Sequence, residues 1–585
     1  MKNKILQLIS NKEKKKVFII IIGLFIIAFL EMISIGSIPA FVYLFLDVDR
    51  VYDVINQYNL NYEFIVNLNT SKLLIFSSLI LIFIFLIKNI IILFFNFFHF
   101  KFNYEIKKNL CLKFFSKYID EDYEIIKTKS NSKITRDILV ETSQFVDIID
   151  NSIIFIREIL ILTGIIILLI ITDPIITFTI GITLSLILIF FYLFFRKKIA
   201  SKGKIVQLER ERLFQWINQT MGSIIDIKIF NRKLFFFKLF SSSIKRYEKQ
   251  NLYMNFISTL PRVILEIVSV SMILLFMVIY IISNEDLASF LPFLTLLVVA
   301  LLKMIPSFNN LILSVNTLKF RKPSLDLIYE NLANYKTTTQ KINQDKNLEI
   351  KEGLKIIDLT YSYPDNKIEI LKNINLVIKK GEFTAIIGKS GSGKTTLMLI
   401  LLGLLQPKKG KILIDGKCIH KGLINFWQSK ISFVSQNPYL INDTIKSNIM
   451  FGDAENKKNI KLLEVVCKIS KLDEFIYKNK NGLESIIEDN GTNLSGGQKQ
   501  RISIARALYK NSEFIFFDEA TNALDEKLEK EIFELIHLYF PKKTIIVITH
   551  RLNSIKDADN IIYIEKGKHI DNGKYDFIKS KYIDV

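Results

Sequence analysis

Six long apolar runs crowd the first half of the chain, and no soluble fold can hide all of them. They occupy residues 17–46, 73–98, 152–172, 175–195, 261–283 and 289–311, and each reaches the ~20 residues of helix that cross a hydrocarbon core. The longest imply tilt, or extension beyond the bilayer. Only Asp173-Pro174 separates the third from the fourth. Proline can open a helix but cannot sit inside one without losing a hydrogen bond, so these two runs form a hairpin.

The loops orient the spans. Lys2, Lys4, Lys12, Lys14, Lys15 and Lys16 precede the first run, and the connections 99–151 and 196–260 are long and basic. Segment 47–72 is acid-rich, and the fifth and sixth runs are joined by Asn284-Glu285-Asp286. The positive-inside rule places the basic segments and both termini in the cytoplasm. The N-terminal run is too long for a signal-peptide core and has no small-residue cleavage site, so it is expected to remain as a span. Net charge +21 beside a mean hydropathy of +0.30 excludes a disordered polycation. Topology and anionic headgroups account for the basic excess, and without a recognition module no nucleic-acid partner is expected. Cys111, Cys418 and Cys467 lie far apart, which excludes a disulfide-stapled scaffold.

Each long cytoplasmic connection has room for two helical extensions and a short crossing helix, near 121–130 and 215–228. Residues 1–334 are thus expected to form a six-helix transmembrane domain, and the polar stretch 335–347 a linker. From 348 to 585 apolar runs shorten to strand length and alternate with helical patterns, as in an α/β domain.

That second domain carries Gly388-Lys-Ser-Gly-Ser-Gly393-Lys394-Thr395 between a strand candidate, 383–387, and a helical run from Thr396. This is the G-x-x-x-x-G-K-[ST] phosphate loop in its required context. Gly388, Ser390, Gly391, Ser392, Gly393 and Thr396 belong to the cradle whose backbone N–H groups converge on phosphate oxygens. Lys394 is placed to hold the β- and γ-phosphates of ATP and Thr395 to hold Mg²⁺. Downstream, Phe514-Ile-Phe-Phe-Asp518-Glu519 is an apolar strand ending in two acids. Asp518 suits the Mg²⁺ hydration shell, and Glu519 the attacking water.

Leu494-Ser495-Gly496-Gly497-Gln498 is the signature of ABC-type ATPases, and Tyr363, Gln436, the run Asn522-Ala-Leu-Asp525 and His550 stand in the family's order. Preceded by six spans, the domain resembles that of an exporter-type half-transporter. The resemblance implies that Tyr363 stacks on adenine, Gln436 contacts Mg²⁺, and His550 holds the γ-phosphate, so Glu519, His550 and Gln436 form the catalytic set. It also implies that Ser495, Gly496, Gly497 and Gln498 complete the phosphate site of a second copy, making the working unit a homodimer. The chain departs from the family at Asn522, Thr549 and Glu488-Asp489-Asn490-Gly491, none of which removes a catalytic group.

Ionisable residues inside the spans are candidate cargo contacts: Glu31, Lys88, Arg157, Glu158, Arg262, Glu266 and Lys303. Arg262 and Glu266 are spaced to pair on one helix face instead. Leu260-Pro-Arg262-Val-Ile-Leu-Glu266, Leu302-Lys-Met-Ile-Pro-Ser-Phe-Asn309 and Ser324-Leu-Asp-Leu-Ile-Tyr-Glu resemble PglK-type flippases of lipid-linked oligosaccharides. Segment 50–69 is similar to their short external helix. The expected cargo is therefore an undecaprenyl-diphosphate-linked glycan for protein N-glycosylation, crossing a bacterial inner membrane. The alternatives are a lipid A, phospholipid or multidrug exporter and, more remotely, an ATP-gated channel or regulator. A bacteriocin-type peptide exporter would carry an N-terminal peptidase, where this sequence has a short basic tail.

Overall fold

A computed structural model describes residues 2–46, 70–282, 287–333, 335, 349–364, 368–419, 423–452, 459–478, 481–521 and 523–582. The candidate external helix at 50–69, the 284–286 turn, most of the linker and Asn522 lie outside these residues. The chain divides into two compact units, one of residues 1–121 and 125–338, the other of 122–124 and 339–585.

In the first unit six helices are long and apolar enough to cross a membrane. They are α1 (Asn11–Leu46), α2 (Thr70–Asp120), α3 (Thr142–Thr172), α4 (Pro174–Gly222), α5 (Lys233–Ile282) and α6 (Leu287–Phe320). Asp173 ends α3 and caps α4. Its carboxylate accepts from the N–H groups of Ile175 and Ile176 at 3.0 and 3.1 Å, with Pro174 in the first turn. The helices run well past the apolar spans, because continuing the i→i−4 ladder satisfies backbone groups that an early stop would leave bare. So α5 starts at Lys233, and Pro261, expected to open the span, sits inside it. The first crossing helix is Tyr123–Thr128. The second is Ile224–Ile229, later than expected because α4 continues to Gly222. A π-helical turn, Arg136–Glu141, leads into α3.

The second unit holds two main sheets. The first is antiparallel, in order β2-β1-β4-β5, from β1 (Gly353–Tyr361), β2 (Leu371–Lys379), β4 (Lys409–Ile414) and β5 (Lys417–Cys418). The second has order β12-β11-β3-β10-β9-β6. Its strands are β3 (Phe383–Ile387), β6 (Ile431–Val434), β9 (Phe514–Asp518), β10 (Thr544–Ile548), β11 (Asn560–Glu565) and β12 (Lys568–Gly573). All its pairings are parallel except β11 with β12. A two-stranded pair, β7 (Asp443–Thr444) and β8 (Ile486–Ile487), completes the strands among the described residues. β3, β9 and β10 are buried at every residue, as expected of parallel strands covered on both faces.

Candidate active site

Parallel register gathers the chemistry at one sheet edge. Ile386 and Asp518 both pair with Ile548, and Val434 pairs with Phe517. The C-terminal ends of β3, β10, β9 and β6 therefore lie side by side. Gly388 follows β3, His550 follows β10, Glu519 follows β9 and Gln436 follows β6. Ligands in open α/β sheets bind at such carboxyl ends.

The phosphate loop runs from β3 into α7 (Lys394–Leu401). Gly388 has φ +154°, and a Cβ there would lie 2.1 Å from the Ile564 carbonyl oxygen, so no larger residue fits. Lys394 is buried, and its ammonium donates to the carbonyls of Gly388 (2.8 Å) and Lys389 (3.1 Å). Burial lowers its pKa, opposed by the charges of Glu519 and Asp518. The buried Ser392 hydroxyl, close to the Gly388 backbone, has no partner among the described residues. Ser390, Gly391 and Thr395 are exposed and Thr396 is buried. An orphan hydroxyl, a confined ammonium and a loop closed to side chains fit a polyphosphate.

Two side chains converge on the second acid. Gln436 Nε2 donates to Glu519 Oε2 at 2.9 Å, and His550 Nε2 lies 2.9 Å from Oε1. The Glu519 N–H donates to the Ile548 carbonyl at 2.9 Å, and the residue adopts φ +48°. This left-handed backbone is uncommon for a residue with a long side chain. Beside it, burial raises the Asp518 carboxyl to about 6, with a contribution from the Glu519 charge and against the pull of Lys394. A buried carboxylate next to a confined loop suits a divalent cation that neutralises it.

Ser495 caps helix α8 (Gly496–Tyr509) in a reciprocal box with Gln498. Ser495 and Gly496 are exposed, Gly497 and Gln498 partly so. Tyr363 follows β1, half-buried, with its ring edge-on to Tyr361 at 5.2 Å. Other positioning residues escape a motif search. Arg551 donates to the Leu524 carbonyl (2.7 Å) and to the buried carboxylate of Glu529 (3.2 Å), which also accepts from Thr521 (2.6 Å). Gln500 accepts from the Ala523 N–H at 3.1 Å. These bonds shape the turn after the two acids. Only the place of Arg551 beside His550 hints at them in the sequence.

Within the membrane unit, Lys88 is buried, 3.3 Å from Glu31 and 3.2 Å from the Ser34 hydroxyl. Lys303 lies 3.5 Å from the same Glu31 oxygen. Arg157 pairs with its neighbour Glu158 at 2.7 Å, and Asn310 donates to that carboxylate at 3.2 Å. The pairing that the spacing of Arg262 and Glu266 allows is not formed, and both are exposed. An exposed ion pair returns little for the side-chain entropy it costs.

Residues 371–522 match the ABC transporter family, and residues 21–304 match the ABC transporter transmembrane region. The fold is that of a bacterial Atm1-family ABC exporter solved with ATP bound, with a TM-score of 0.80 over 98% of both chains.

The chain joins an ABC transporter transmembrane region to an ABC transporter domain.

At 18% identity the likeness to that solved exporter is one of fold. The chain is a multi-pass membrane protein with an ABC-type ATPase domain. Among curated proteins it is similar to ATP-dependent lipid A-core flippases. That of Alkalilimnicola ehrlichii is 38% identical over 229 residues, 39% of each chain. Those of Salmonella typhimurium and Francisella novicida are 36% and 39% identical over 241 and 220 residues, 40% and 38% of this chain. The chain thus spans about two fifths of the length of these relatives. They are named for lipid A-core, where the sequence pointed first to lipid-linked oligosaccharides.

Proposed function

We propose that two copies of this half-transporter form an ATP-driven lipid exporter of the bacterial inner membrane, with ATPase domains and termini in the cytoplasm. Residues 1–334 would be the membrane domain, 335–347 the linker and 348–585 the ATPase domain. The cargo is an amphipathic, phosphate-bearing lipid of the lipid A or phospholipid class. The names of the relatives favour it over an undecaprenyl-diphosphate glycan, and Arg157, Arg262 and Lys303, with Glu266, would give its headgroup polar contacts inside the spans, whereas Lys88 is buried against Glu31.

The observation that carries the energy-coupling reading is Glu519, held by Gln436 on one oxygen and His550 on the other. A carboxylate fixed at both oxygens beside a phosphate loop is placed to accept a proton from water as it attacks the γ-phosphate. Lys394 and the loop N–H groups hold the phosphates, and Tyr363 offers a ring to the base. Thr395, Gln436 and Asp518 would hold Mg²⁺, which when bound stabilises charge on the phosphate oxygens. The exposed Ser495–Gly497 turn would complete the partner copy's site, so nucleotide would close the dimer and hydrolysis would open it.

Proteoliposome transport with labelled lipid A and labelled lipid-linked oligosaccharide tests the reading. ATP-dependent movement of lipid A is expected. Movement of the glycan alone would overturn it.

A further inference from the structure

Three charged residues from three helices share one oxygen within the membrane unit. Glu31 belongs to α1, Lys88 to α2 and Lys303 to α6, and both ammonium groups reach Glu31 Oε2, at 3.3 and 3.5 Å. The two lysines are not equivalent. Lys88 has a side chain only 3% exposed. It also donates to Ser34 Oγ, whose own proton goes to the Glu31 carbonyl at 3.0 Å, and it lies 4.6 Å from the centre of the Phe85 ring. Its coordination is closed, and drawing it away would strand a buried charge. Lys303 is 44% exposed and has this longer contact. Its open side chain can turn from Glu31 to another anion without leaving a buried charge behind, because Glu31 keeps Lys88.

We propose that Glu31 is a built-in counter-ion that competes with the anionic headgroup of the cargo for Lys303, and so sets the affinity for phosphate-bearing lipid. This rests on the lipid-export reading above. Without cargo, one carboxylate is shared by two ammonium groups, which leaves the cluster one positive charge in excess. When a phosphate approaches Lys303, that ammonium leaves Glu31, and Glu31 stays with Lys88. The phosphate gains a cation without uncovering a buried charge. A lipid without phosphate gains nothing from the exchange. Glu31 is thus a specificity-determining residue, and Lys88 the support that holds it.

The test uses the full-length dimer in nanodiscs. ATPase stimulation is titrated with bisphosphorylated lipid A and with the same lipid after dephosphorylation. Glu31→Gln should lower the half-maximal concentration of the bisphosphorylated lipid about two- to fivefold, the range an exposed ion pair commands. It should leave the dephosphorylated lipid unmoved. Lys303→Gln should raise the value for the bisphosphorylated lipid, and Glu31→Gln added to Lys303→Gln should then have no effect. If Glu31→Gln does not assemble because Lys88 is stranded, Glu31→Gln with Lys88→Met removes the buried pair as a unit and carries the same expectation. The proposal falls if the gain persists without Lys303, is absent, reverses, or is equal for both lipids. If the wild-type protein responds to neither lipid, the lipid-export reading fails as well. A response in the wild type with a flat Glu31–Lys303 cycle overturns the counter-ion role alone.

Discussion

Replacing Glu519 by glutamine probes the ATPase site most directly. The two residues share shape and backbone preference, so the φ of +48° is no harder to hold. The chemistry differs at both oxygens. Glu519 Oε2 accepts from Gln436 and Oε1 faces His550, each at 2.9 Å. An amide keeps one oxygen and turns the other position into a donor, so either Gln436 meets N–H against N–H or His550 must present Nε2 as an acceptor. The charge-assisted character of the surviving bond is lost as well, a change of about 1.5–3 kcal/mol for a bond to a charged group. Loss of a general base costs about 10²–10⁴ in rate, or about 3–5 kcal/mol of barrier. With both oxygens engaged, a loss near the middle of that range, about a thousandfold, is expected in steady-state phosphate release by the reconstituted dimer. ATP affinity, carried by the loop and Lys394, should hold within about threefold, a free-energy change under 1 kcal/mol. A second readout comes from Asp518, whose carboxyl is raised partly by the Glu519 charge. Without that charge, the pH midpoint of Mg²⁺-dependent nucleotide binding should move down. Hydrolysis within tenfold of the parent, with the midpoint unmoved, would refute the assignment of Glu519.

Further outcomes follow from the same geometry. Burial and the Glu519 charge raise the Asp518 carboxyl to about 6, so Mg²⁺-dependent ATPase activity should fall as pH drops through 6. The folded ATPase domain binds this proton before the unfolded chain does, so the Asp518 contribution makes it more stable from pH 6 down to 4, which melting curves with and without Asp518→Asn will show. Gly388→Ala sets a methyl 2.1 Å from the Ile564 carbonyl. It should abolish ATP binding and cost about 3 kcal/mol, the upper end for a strained backbone position, read by calorimetry. Ser495→Ala removes a helix cap worth about 1 kcal/mol, a small shift in Tm. A drop in hydrolysis well beyond that shift would show that Ser495 acts on the partner's nucleotide. Arg551→Ala leaves Glu529 buried without its cation and should destabilise the domain by about 3–5 kcal/mol, whereas Arg551→Ala with Glu529→Gln should recover much of the loss.

Much of the architecture was legible along the chain because its signals are local. Asp173-Pro174 announced the hairpin, and the strand before Gly388 and the strand ending in Asp518 have the bounds their apolar runs implied. The ends of the membrane helices were not legible. Apolar content marks where lipid touches a helix, while the helix continues until backbone bonding or a cap stops it, so α2 runs on to Asp120 and α4 to Gly222. The delay in α4 moved the second crossing helix with it. Arg262 and Glu266 had the spacing of a pair, but spacing permits a contact without making it worthwhile.

By itself the sequence determined the spans, the phosphate loop, the acidic strand end and the signature turn, because each is written in consecutive residues whose chemistry and periodicity need no partner. Only the tertiary structure decided that Gln436 and His550 meet on Glu519, that Arg551 secures Glu529, and that Lys88 and Lys303 share Glu31. Those meetings join residues 22 to 272 positions apart, and strand order, register and helix packing set such distances where no short-range pattern in the chain can.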